Sequence, residues 1–215
     1  MKHGTIRGDK HSKLKKETMK IILFGTTYGT SRLYAEELSK RTGIEAQSYD
    51  AVSSINDYGV IVYIGSLYAG GVQGMKKTFG KLTDVSNRKI IIATVGLANP
   101  TDPENINSIR NSIKNQLSDA VYNHATIFHL RGAIDYAKLG FKHKTMMSLL
   151  YNKAKNLPEE KKTAEVRAMI ETYNKQVSFI DYESLIPIIE MTSTKMQNSL
   201  DRYECFATNG IGNSV

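Results

Sequence analysis

Four short apolar runs constrain the fold of this chain more than any other feature: "KIILFG" (20–25), "GVIVYIGS" (59–66), "KIIIATVG" (89–96) and "ATIFHLRG" (125–132). Each is rich in β-branched residues and continuously apolar, whereas a strand with one wet face alternates. Continuous runs of this length are how strands buried on both faces of a parallel sheet read. A weaker stretch, "IEAQSYD" (44–50), predicts a fifth strand at an edge. Helical patterns fill the gaps, over 31–42 ending before Gly43, over about 72–82, and over about 103–118 with Pro103 near its start. Proline in a first turn and glycine after a last one are the expected helix punctuation. The repeated β-α-β order predicts an α/β fold, a doubly wound five-stranded parallel sheet with right-handed crossovers. A chain of 215 residues is long enough for one sizeable core.

Residues 138–178 break this alternation and read as an insertion before a last helix over about 181–195. In "KLGFKHKTMMSLLYNKAKNL", Leu139, Met146, Leu150, Ala154 and Leu157 share one helical face, with Lys144 and Lys155 opposite and Lys142 and Lys153 at its edges. Such a basic amphipathic helix either packs on the domain or lies on a membrane or a partner. The domain spans 19–195 on this reading. Residues 1–18 form a basic, flexible extension and 196–215 a polar tail without period.

The chain has a formal net charge of +8, concentrated in two places. Residues 1–18 carry six Lys/Arg against two acidic residues, and residues 131–178 carry ten against five. An excess of this kind attracts an anionic membrane surface or an acidic partner, or simply solvates a face. No nucleic-acid motif with interleaved aromatics accompanies it. The single cysteine, Cys205, has no partner for an intramolecular disulfide, and no Cys or His pair has zinc-ligand spacing. The expected setting is the cytoplasm, free or peripheral to the inner face of the membrane. No apolar segment nears the roughly 20 residues of a membrane-spanning helix.

"GTTYGTS" (25–31) joins the first strand to the first helix. A turn at such a junction aims free backbone N–H groups and the positive end of the helix dipole at one point, which makes an anion site. Thr26, Thr27, Thr30 and Ser31 add hydroxyl donors, Gly29 permits close backbone approach, and Ser31 is placed to cap the helix. The Gly-Lys-Ser/Thr of a Walker loop is missing, and so is the G-x-G-x-x-G of a dinucleotide site. Neutral donors alone suit one terminal phosphate, unless the stretch is an ordinary turn. Two further loops, "GSLYAGG" (65–71) and "VGLANP" (95–100), follow the third and fourth strands, and ligands of open α/β sheets bind beyond those carboxyl ends.

At these three loops the sequence resembles the flavodoxin family, over about residues 19–190, with T-x-x-G-x-S as its phosphate loop. The resemblance implies strand order 2-1-3-4-5 and FMN held non-covalently at the switch between strands 1 and 3. It implies Thr26, Thr27, Tyr28, Gly29, Thr30 and Ser31 at the phosphate. Around the flavin ring it implies Ser66, Leu67, Tyr68, Ala69 and Gly70 from the second loop, and Val95, Gly96, Leu97, Ala98 and Asn99 from the third. A closer resemblance is to the branch containing menaquinone-dependent protoporphyrinogen oxidase. It rests on "GSLYAGG", on "LRGAIDYAKLGFKHKTMMSLLYNKAKN" and on "FIDYESL" (179–185). That branch implies an oxidoreductase passing electrons to a quinone, with the insertion beside the flavin and associated with membrane contact.

Two departures matter. The chain has no Trp, so Tyr68 is the expected stacking ring on one face of the flavin, with Leu97 or a substrate on the other. Family electron carriers are typically acidic and this chain is basic, which favours an enzyme over a shuttle; a flavin-free interaction module is the third class. His124 and His129, flanking the fifth strand on opposite faces, read as structural, as does the Met146 and Met147 pair, and His143 in the basic helix is within possible reach of a substrate. No metal site is expected, and the catalytic work falls to the flavin.

Overall fold

The computed structural model describes residues 19–68 and 70–193, so the basic extension, Ala69 and the polar tail with Cys205 lie outside the described residues. The four apolar runs are strands: β1 (Lys20–Gly25), β3 (Val60–Tyr68), β5 (Lys89–Gly96) and β6 (Ala125–Arg131). With β2 (Ala46–Ser48) at the edge they form a parallel sheet in the order β2-β1-β3-β5-β6. Leaving aside the short β4 (Gly71–Val72), this is the expected order 2-1-3-4-5.

Burial explains why the runs are continuous. Ile22, Val62, Ile64, Ile91 and Ala93 pack on one face of the sheet against helices α1 (Thr30–Thr42) and α7 (Ile186–Ser193). Their neighbours Ile21, Leu23, Ile61, Tyr63, Ile90 and Ile92 pack on the other. There they meet α2 (Met75–Phe79), α3 (Pro103–Lys114) and α4 (Asp119–His124). Each fully buried aliphatic side chain contributes roughly 1.5–3 kcal/mol. With both faces covered, the runs from Val60 to Ile64 in β3 and from Ile90 to Ala93 in β5 leave no position for a polar residue to alternate into.

The helices differ from expectation mostly at their ends. α1 stops at Gly43, whose φ of 71° closes a left-handed cap. α3 opens with Pro103, and the Asp102 carboxylate accepts from the Glu104 N–H at 2.9 Å. The pattern over 72–82 yields a helix of only five residues, because Val72 is drawn into β4 and Gly80 ends α2. The pattern over 103–118 breaks at Asn115, and Ser118 then caps the separate α4. The final helix begins as a 3-10 turn, Tyr182–Leu185.

The insertion has its own frame. β7 (Ala133–Asp135) pairs antiparallel with β8 (Gln176–Ser178), closing a base from which α5 (Phe141–Lys155) and α6 (Ala164–Thr172) project. Its small core joins Ile134, Tyr136, Leu139 and Met147 to Met169, Tyr173 and Val177. Two residues from the predicted ligand loops, Tyr28 and Leu97, complete that core.

Candidate functional site

The loop after β1 turns on Gly29, whose φ of 92° few other residues tolerate. Its N–H donates to Thr26 Oγ1 at 2.9 Å, and its carbonyl accepts the first helical bond, from Leu33. Gly29 is thus the residue that caps α1, not Ser31 as the sequence suggested; the left-handed turn starts the helix at Thr30 and carries Ser31 into its first turn. The Ser31 hydroxyl is buried and has no partner among the described residues. The first N–H groups of a helix also lack internal acceptors, and the first turn of α1 carries no acidic side chain to occupy them. Donors without acceptors at this end of the helix suit a phosphate.

The second loop is not open, since β3 runs on through Tyr68 and folds back as a hairpin pairing Leu67 with Val72 and Tyr68 with Gly71. Gly70 makes that turn with φ of 77°. Its carbonyl accepts from Ser112 Oγ at 2.6 Å, and Val72 N–H donates to Gln116 Oε1 at 2.9 Å, so the hairpin is tied to α3 and the turn after it. Ser66 joins this loop to the first: its hydroxyl accepts from the Thr27 N–H at 3.2 Å and donates to the Gly25 carbonyl at 3.3 Å. In the third loop, the Gly96 carbonyl accepts from the Gly132 N–H at 2.7 Å.

Between these loops and the insertion lies a cavity of about 570 Å³, within the usual size range of small-molecule sites. Of the expected residues, Tyr28, Thr30, Ser66, Leu67, Tyr68, Gly70, Val95, Gly96, Leu97 and Ala98 line it. Thr26, Thr27 and Gly29 in the adjoining loop and Ser31 in the first turn of α1 stand outside that lining. Asn99 is turned away, its side chain accepting from the Thr101 N–H at 3.0 Å and its carbonyl from Asn105 Nδ2 at 2.8 Å.

The opposite wall comes from the insertion, which the resemblance placed beside the flavin, although none of its residues was among those expected at the cofactor. Met146, Met147, Leu150, Ala154 and Leu157 face the cavity from α5 and the turn beyond it, and Glu165, Val166 and Met169 face it from α6. Four of the five stripe residues read from the sequence therefore line the cleft, while Leu139 is buried in the insertion core. The apolar residues of α5 that face outward are Phe141, 84% exposed, and Leu149, 68% exposed. Gly132, Ala133 and Ile134 complete the lining after β6. The rule that singled out the loops after β3 and β5 applies equally to the carboxyl end of β6 and could have found them.

Two charged side chains, Lys153 and Glu165, stand among these apolar groups. Glu165 is accessible through the cleft mouth, yet the surrounding protein raises its carboxyl above the ordinary range by desolvation. Tyr28 meets the Tyr68 ring edge-on at 6.4 Å and the His143 ring at 5.5 Å. Desolvation, with the neighbouring Tyr68 adding to it, raises the Tyr28 phenol, and its hydroxyl is buried without a partner among the described residues. Tyr68 donates to Met146 Sδ at 3.7 Å. Among the described residues, the other two histidines are structural. His124 Nε2 lies 2.6 Å from the Arg88 carbonyl, and His129, inside β6 and not beyond it, pairs through Nδ1 with Thr94 Oγ1 at 2.8 Å. No group of three or more His, Cys, Asp or Glu among the described residues could hold a metal ion.

A cysteine-to-alanine mutant of flavodoxin from Pseudomonas aeruginosa is similar at 14% identity over 63% of this chain and 96% of that one, with a TM-score of 0.30. No curated protein matches the chain. The family model of the flavodoxin domain matches residues 21–161, well over half of the chain, from β1 through α5 and the turn after it. The chain belongs to the flavodoxin domain family.

Proposed function

We propose that the protein binds FMN and acts as an FMN-dependent oxidoreductase on an apolar small molecule. In this reading Thr26, Thr27, Ser31 and the amino end of α1 hold the phosphate, and Tyr68, Leu97 and Ala98 border the flavin ring. The donor set fits the group: an orphaned buried hydroxyl at Ser31 and a helix end without a side-chain cap call for an anion. FMN would supply one- and two-electron redox chemistry. The side chains position it, exclude water from the cleft and select what enters beside it.

One observation carries the choice of an enzyme over an electron carrier. The cleft is walled by the methionine- and leucine-lined side of the insertion, where a carrier would leave the ring edge open to a protein partner. A walled apolar cleft of this volume favours a small hydrophobic substrate. The finer form of the reading is the protoporphyrinogen oxidase type, with a quinone as acceptor and peripheral contact with an anionic membrane. Support for membrane contact comes from exposed Phe141 and Leu149 beside Lys142 on α5. No helix among the described residues is long and apolar enough to cross a membrane.

The test is anaerobic mixing of the oxidised, FMN-loaded protein with protoporphyrinogen and, separately, of the dithionite-reduced protein with a menaquinone analogue. Flavin reduction by the first and reoxidation by the second is the expected result. A flavin that exchanges electrons with neither, but does so with a protein redox partner, identifies a carrier.

A further inference from the structure

The third loop is held from behind by Arg131, the last residue of β6. Its Nε and Nη2 both donate to the Leu97 carbonyl, at 3.3 and 3.0 Å. The guanidinium lies 3.7 Å from the centre of the Phe179 ring, a contact typical of a cation on an aromatic face. Phe179 is itself fixed, its N–H donating to the Gly132 carbonyl at 3.0 Å. The Arg131 carbonyl accepts from Tyr34 Oη at 2.8 Å, so side chain and backbone are both anchored. No carboxylate pairs with Arg131 among the described residues.

Arg131 does not line the cavity, whereas Leu97 and Ala98 do. The Leu97 carbonyl is therefore drawn away from the cavity. Every peptide bond described is trans, and in a trans peptide the carbonyl and the following N–H point in opposite directions. The Ala98 N–H is thus turned to the cavity side, where it makes no hydrogen bond among the described residues although Ala98 is buried.

We propose that Arg131 is a positioning residue which holds the Leu97–Ala98 peptide with its N–H toward the cofactor cleft and so favours the reduced form of FMN seated there. This rests on the FMN reading above. Reduction by two electrons and one proton leaves negative charge on the flavin's polar edge, and a donor to a charged acceptor is roughly twice as strong as one to a neutral acceptor. A fixed N–H therefore discriminates between the two oxidation states, and a peptide free to rotate discriminates less. Arginine does this better than lysine because its planar fork reaches one carbonyl with two N–H groups while stacking on the ring.

The test compares wild type with Arg131→Met, Arg131→Lys and Phe179→Leu by two measurements. The first is the FMN midpoint potential, from dithionite reduction against a reference dye. The second is hydrogen–deuterium exchange of the 95–100 amides without added flavin. Arg131→Met is expected to weaken binding of reduced FMN about tenfold relative to oxidised FMN, which lowers the midpoint of a two-electron couple by about 30 mV. Arg131→Lys, which keeps the charge, and Phe179→Leu, which keeps charge and fork, should each give about a threefold loss. All three should exchange the loop amides faster, and the two conservative variants decide the matter if Arg131→Met does not fold. Unchanged midpoints, or midpoints that fall with no faster exchange, overturn the proposal. If wild type takes up no FMN, the FMN reading fails on its own, and unchanged exchange in the variants still overturns the role of Arg131.

Discussion

The sheet and the insertion bury apolar side chains in opposite ways. In β3 and β5 the apolar side chains are closed off on both faces, and every large residue from Val60 to Ile64 is buried. In α5 only Met147 and Ala154 are buried, while Phe141 and Leu149 stand in solvent and the cleft takes much of the rest. A two-sided core leaves the sheet no freedom, so it serves as a frame. The insertion shares its small core with Tyr28 and Leu97 of the ligand loops, so its packing and the cleft's shape are one property.

The largest expected effect lies in the frame. Ile91→Ala should destabilise the fold by about 2–5 kcal/mol, as truncation of a fully buried aliphatic residue does. Met147→Ala in the insertion should cost less, about 1–2 kcal/mol, because its neighbours border an open cleft into which they can relax. Chemical denaturation of both variants measures the contrast, and equal losses would show the insertion to be as tightly built as the sheet.

The junction between the two regions comes next. Replacing Thr26 and Ser31 together by Ala should weaken FMN binding by roughly 2–4 kcal/mol and riboflavin binding by distinctly less, since hydrogen bonds to a charged group are worth about 1.5–3 kcal/mol. Thr26 also accepts from the Gly29 N–H, so Thr26→Ala alone should loosen the turn for both ligands. Ser31→Ala alone should be selective for FMN. Fluorescence titration of the apo-protein with each ligand separates the two effects.

A smaller effect tests the frame by pH. Desolvation, with a lesser contribution from the Arg110 charge, lowers the His129 imidazole to about 4. Its Nε2 is buried with no acceptor among the described residues, so a second proton would be an unpartnered buried donor. Between about pH 6.5 and pH 4 the unfolded chain then binds the proton that the folded one refuses. Stability is full above pH 6.5 and falls on acidification, by on the order of 2 kcal/mol from this group. His129→Gln should flatten that part of the profile of denaturation midpoint against pH.

Most of the frame was legible in the sequence because burial on both faces leaves a continuous apolar signature. The loops that border the cleft were legible because they follow such strands directly. The insertion was harder to read: the helical period placed Met146, Leu150, Ala154 and Leu157 on one face, but a period does not say whether that face meets a core, a membrane or a cleft. The pairing of β7 with β8 spans some forty residues and leaves no local pattern in three-residue strands. The same holds for Arg131, whose contacts are with Leu97 and Phe179, both distant in sequence.

The weakest expected effect is at the outer face of α5. Phe141→Ser with Leu149→Ser should reduce sedimentation with anionic vesicles, and Lys142→Gln should reduce it further by about 1 kcal/mol at low salt. Changes at Leu150 or Leu157 should act on the cleft instead. Vesicle binding unaffected by the Phe141 and Leu149 changes would return that face to ordinary solvent exposure.

The central claim is that the amino end of α1 and the three loops beyond the strands hold one FMN. Titration of the apo-protein with FMN, FAD and riboflavin, followed by quenching of flavin fluorescence, tests it most directly. The account predicts saturation by one FMN per chain, with riboflavin and FAD bound more weakly. Tighter binding of FAD, or no uptake from excess FMN, would contradict it.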